Sequence, residues 1–162
     1  MPVDLNTTRL DPTDPYYHPL LDDLQGNILK GHGRPHSIHL FIQFHDAAKA
    51  RRWIARFADA WVTSAIDQYL DARRYKMDPQ KYANAVLGSL MLTAAGYRAL
   101  GCEADDLPGD RRFRLGMKHN DVRSWLHDPP PEAWDDPLQK PIHALILLAC
   151  NLDPRGTHSF AQ

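Results

Sequence analysis

Cysteine is nearly missing from this 162-residue chain, which holds only Cys102 and Cys150. The two could pair, but their spacing shows no disulfide framework. They predict small, buried apolar side chains in a reducing, cytoplasmic setting. Excess charge is missing as well. The formal net charge is −1 with the nine histidines neutral, so no bulk field favours nucleic acid or an anionic membrane. The longest apolar run, Ala144–Cys150, is far too short to cross a bilayer. The opening MPVDLNTTRL lacks the apolar core of a secretory signal. Missing too are a Gly-x-Gly-x-x-Gly fingerprint, a phosphate loop ending in Gly-Lys-Ser/Thr and a Gly-x-Ser-x-Gly elbow, which removes the sequence signals for dinucleotide, nucleoside triphosphate and serine-hydrolase chemistry.

What is present reads as one soluble domain. Hydrophobic residues make up 43% and charged residues 24%, close to the globular norm. The organising stretch is NAVLGSLMLTAAGYRALG, residues 84–101. Val86, Leu87, Leu90, Met91 and Leu92 predict a strand covered on both faces. Thr93 then supplies the N-cap hydroxyl for a short helix over 94–100. Gly101 sits where a left-handed C-cap residue belongs.

Residues 36–45 alternate Ile38, Leu40, Ile42 and Phe44 with more polar neighbours, which predicts an earlier strand. Asp46 caps an amphipathic helix whose stripe is Ala47, Ala50, Trp53, Ile54, Phe57 and Trp61; the stripe should pack on the strands. A second helix over 64–75 ends before Asp78-Pro79. Short helices are expected near 110–117 and 121–127, and a last strand over 142–152. The thirteen prolines cluster at 12–35 and 129–154 and mark those stretches as mostly loop. Residues 1–20 read as an extended lead-in, residues 21–162 as the domain, and DPRGTHSFAQ as a polar tail.

The candidates for chemistry are few. His32, His36 and His39 have spacings found in zinc sites, but residues 36 and 39 of a strand point to opposite faces. Cys102 follows a helix end, where no dipole lowers its pKa. The pairs Asp22/Asp23, Asp105/Asp106 and Asp135/Asp136 sit beside turn residues and read as caps or solvated loop. Arg73, Arg74, Lys76 and Lys81 lie among acids and make a weak nucleic-acid patch. His119, His127 and His143 are histidines of the type that ligates haem, but none is placed for axial ligation.

Four separated segments carry a resemblance: LDDLQGNILKGHGR at 21–34, the 84–101 unit with its GYRALG ending, LPGDRRFRLGM at 107–117, and WDDPLQKPIHALILLACN at 134–151. Together, in order, they resemble the dye-decolorising (DyP-type) peroxidases, over the N-terminal half of that family's usual length. The resemblance implies an α+β fold: an incomplete ferredoxin-like module of the dimeric α+β barrel superfamily, an antiparallel sheet with helices on one face. It implies haem b and hydrogen peroxide, acting on dyes and phenolics. The family's peroxide-handling aspartate lies in Gly-x-x-Asp-Gly, a motif this sequence lacks, and its iron-ligating histidine lies further on. No catalytic, cofactor-binding or metal residue is therefore carried over, and haem is not expected on this chain alone. The implied partner is a second polypeptide with the C-terminal half, or a second copy; the alternative is a haem-free binding or oligomerisation module. With three strands of a βαββαβ unit, the first strand becomes a free edge. The face of the last strand carrying His143, Leu145, Leu147 and Ala149 is expected to lie uncovered, at about 1.5–3 kcal/mol per large apolar side chain. A module with a whole-domain stability of about 5–15 kcal/mol would then be marginal.

Overall fold

Local sequence signals set most of the element ends. A computed structural model describes residues 11–152. Residues 1–10 of the expected lead-in and the expected tail from 153 lie outside the described residues. The elements are α1 (His18–Asp23), β1 (His36–Ile42), α2 (Ala47–Trp61), α3 (Ala65–Met77), α4 (Pro79–Tyr82), β2 (Leu87–Leu92), α5 (Ala94–Ala99), α6 (Arg111–Leu115), α7 (Asn120–Leu126), α8 (Asp136–Gln139) and β3 (Ala144–Cys150). Two 3₁₀ turns, Ala104–Asp106 and Pro131–Ala133, lie between them. The strands form an antiparallel sheet in the order β1-β3-β2. Among the described strands β1 is an edge, as expected, with Ile38, Leu40 and Phe41 38%, 43% and 52% exposed.

The chain divides into two units. Of the described residues, the first combines 11–38, Trp61–Ser89 and 148–152; the second combines His39–Ala60 with Leu90–Leu147. In the first unit Ser64 caps α3 by accepting from the Asp67 N–H at 3.1 Å. The chain before α3 pairs with the chain after α1: Gly26 N–H donates to Thr63 O at 2.6 Å and Ala65 N–H to Leu24 O at 2.7 Å. The core there is Leu21, Ile66, Leu87, Ala149 and Cys150. Helix α1 was not foreseen; Pro19 stands in its first turn, where the missing N–H has no intrahelical partner to lose.

In the second unit the strand-to-helix reading holds closely. Thr93 Oγ1 accepts from Gly96 N–H at 3.0 Å and donates to Ile142 O at 2.7 Å. At the other end of α5, Gly101 has φ +81. Cys102 N–H reaches Tyr97 O at 3.0 Å and Gly101 N–H reaches Arg98 O at 2.9 Å. This paired arrangement closes the helix end with a residue that needs no Cβ there. The helix thus carries its own start and stop. Thr93→Val removes the cap and leaves the Ile142 carbonyl without this donor, at an expected cost of about 1–2 kcal/mol. Urea denaturation of the two proteins measures it.

Two expectations need correcting. The face of β3 expected to lie uncovered is largely closed: Leu147 is 4% and Ala149 1% exposed, and Leu145 is half-buried. In the sheet, β3 is the middle strand, flanked by β1 and β2. Conversely, the stripe of α2 is less buried than its periodicity implies. Ala50 alone is fully buried, Trp61 is 55% exposed, and Trp53 stacks on Phe57 at a centroid distance of 5.4 Å. Amphipathic spacing names the apolar face but does not supply a partner for it.

Candidate functional site

Two long polar side chains are buried in the first unit, and both organise the glycine-rich loop after α1. Gln68, on α3, is 8% exposed. Its Oε1 accepts from Asn27 N–H at 2.9 Å, and its Nε2 donates to Lys30 O at 3.1 Å. Asn27 holds a left-handed φ of 69, a conformation its short amide side chain tolerates. Its Oδ1 then accepts from His32 N–H at 2.9 Å, and His32 Nδ1 accepts from Arg34 N–H at 3.0 Å. Each step fixes the next, and the chain of bonds ends by aiming Arg34 inward.

The Arg34 side chain is 7% exposed. Nη1 donates to Ala85 O at 2.7 Å and to Ala149 O at 2.9 Å. Nη2 stands 3.7 Å from Asp71 Oδ2, while Asp71 Oδ1 lies 3.3 Å from Arg74 Nη1. Burial pushes the Arg34 guanidinium down from its usual value, and the Asp71 carboxylate pulls it back up. Arginine starts so high that it stays cationic at neutral pH. Beside it opens a cleft of about 930 Å³, between residues 29–34 and the face of α3 bearing Gln68, Tyr69, Asp71, Tyr75 and Lys76, with Tyr82 also on its wall.

The sequence candidates are dispersed. His32 is engaged by Arg34 N–H, and His36 and His39 lie on β1. Among the described residues no three histidine, cysteine or acidic side chains are grouped to hold a metal ion. Cys102 is half-buried, Cys150 is buried, and both are free thiols. Asp106 closes a capping box with Glu103. Asp22 and Asp23 are the last residues of α1, and Asp135 precedes α8.

Three of the described histidines already have Nδ1 engaged. His143 Nδ1 accepts from Phe44 N–H at 2.8 Å, and His119 Nδ1 accepts from Asp121 N–H at 3.2 Å. With Nδ1 accepting, the neutral ring carries its proton on Nε2 and offers no second lone pair to iron. His32, the histidine on the cleft wall, is held the same way. Sequence reading missed Arg34 and Gln68, because neither periodicity nor motif spacing shows that a charged residue after a loop turns inward. The one available signal was the density of turn residues around Ile28 and Leu29.

Comparison with known proteins matches residues 23–159 to the DyP dimeric alpha+beta barrel domain. The chain is similar to the multifunctional dye peroxidase DyP2 of Amycolatopsis sp., 35% identical over 149 residues. Those residues are 91% of this chain and 30% of that protein. Among solved structures it resembles the DyP-type peroxidase of Anabaena sp., with a TM-score of 0.78 and 43% identity over 83% of this chain and 29% of that one. The DyP2 structure gives a TM-score of 0.74 and 32% identity over 86% of this chain and 28% of that one. The chain therefore spans under a third of these relatives, less than the half that the segments alone implied.

Proposed function

The chain belongs to the family of the DyP dimeric alpha+beta barrel domain, and from that premise we propose that it serves as the N-terminal module of a DyP-type haem peroxidase. In this reading haem b and the peroxide-cleaving residues come from outside these 162 residues, on a further segment or a second polypeptide. The completed protein would oxidise dyes and phenolics. The observation that carries the reading is the ordered match over 23–159, aligned to 28–30% of the relatives' length, in a sequence without Gly-x-x-Asp-Gly.

The test is complementation. Co-expression with the remaining portion of the Amycolatopsis relative should yield a complex that retains haem and oxidises dye. Failure of a soluble, co-purifying pair to take up haem would contradict the proposal. A second reading rests on the exposed apolar edge of β1: a haem-free module that self-associates by edge pairing. A stable dimer that ignores the supplied portion would favour it. No helix among the described residues is long and apolar enough to cross a membrane.

A further inference from the structure

The cleft of the first unit is a second, non-redox feature, and the structure assigns it to a small carboxylate with an apolar ring or chain. Five observations carry this. The Arg34 side chain is 93% removed from solvent, yet its bonding is incomplete. Nη1 has two carbonyl acceptors, whereas Nη2 has Asp71 at 3.7 Å, too far for a hydrogen bond. A guanidinium edge of this kind matches a carboxylate oxygen.

The walls supply the rest. Tyr69, Tyr75 and Tyr82 line the cleft and offer aromatic faces to an apolar body. Lys30, Arg34 and Lys76 outnumber the single acid, Asp71, so the lining favours an anion. A volume of about 930 Å³ falls within the range of small-molecule sites. The loop wall is also held in shape beforehand, since Gln68 fixes Asn27 and Lys30 from within. A site preorganised in this way loses little freedom on binding. Asp71 is the tuning residue: its carboxylate competes for Nη2 and repels the incoming anion.

The experiment is a titration of the full chain with sodium benzoate, followed through the Arg34 Nε–H and Gln68 side-chain amide resonances. Benzamide serves as the neutral isostere. Benzoate should shift these signals saturably, and benzamide should bind about tenfold more weakly, because the charge-assisted bond is lost. Asp71→Asn should tighten benzoate about fivefold by removing one like charge at short range, and exposed Lys76→Gln should weaken it. These two variants carry the test because Arg34 variants also lose stability, which would confound a change in binding. No saturable shift, equal binding of benzamide, or unchanged affinity in Asp71→Asn would overturn the assignment.

Discussion

Gly96→Ala is expected to unfold the second unit. Gly96 lies on α5, the short helix after β2. A Cβ there would run into the His143 carbonyl oxygen, with the His143 carbonyl carbon at 2.8 Å and Cα at 3.2 Å. Neither backbone has room to yield. His143 O already accepts from Thr93 N–H at 3.1 Å, and His143 N–H donates to Ile42 O at 2.8 Å. Alanine gains about 1 kcal/mol of helix propensity over glycine. The clash exceeds that gain, since one inserted methylene costs about 1–3 kcal/mol even where side chains can shift. Because the contact is with backbone, which yields less than a side chain, the upper end of that range is a floor, and a net loss of about 2 kcal/mol or more is a large share of a domain's stability of about 5–15 kcal/mol. Near-UV circular dichroism and urea denaturation should show lost packing. Gly88→Ala should behave alike, because its Cβ would meet the Trp61 carbonyl. Gly109→Ala, with nothing within 4 Å, is the control and should change stability by under about 0.5 kcal/mol. A cooperative, near-native Gly96→Ala protein would show that the close approach of α5 to His143 is wrong.

Arg34→Met should cost the first unit about 3–5 kcal/mol. Methionine preserves much of the stem's bulk but removes the donor shared by Ala85 O and Ala149 O. Two carbonyls, at half-buried Ala85 and buried Ala149, then lose a charged partner, each such bond being worth about 1.5–3 kcal/mol. Asp71, whose side chain is 22% exposed, also loses its counter-charge and adds to the cost. Arg34→Lys should recover part of the loss, since one ammonium cannot reproduce the planar fork. Chemical denaturation of the three proteins ranks them as arginine, lysine, methionine. An unchanged midpoint for Arg34→Met would remove the keystone role of this side chain.

These two sites differ in how far sequence could anticipate them. The environment of Gly96 was partly legible: Val86–Gly101 reads as a strand, a capping Thr93, a short helix and a left-handed Gly101, and all four are found. Those signals act within a few residues of one another. Strand β3 was legible as apolar on both faces, but the closure of Leu147 and Ala149 depends on neighbours distant in sequence. The α2 stripe was legible as a pattern, while the exposure of Trp61 was not, because a period says which residues share a face and not what lies against it. Arg34 was illegible altogether. Its partners are residues 51 and 115 positions away, and a lone arginine after a glycine-rich loop looks like any solvated cation. Family likeness indicated the module, and long-range bonds decided where its buried charge would sit.

The most direct measurement is an absorbance spectrum of the purified chain with one equivalent of haem, followed by peroxide and a dye. The account predicts the spectrum of unbound haem, no protein-specific Soret shift, and dye loss no faster than with haem alone. A stoichiometric Soret band with sustained turnover by this chain alone would contradict it.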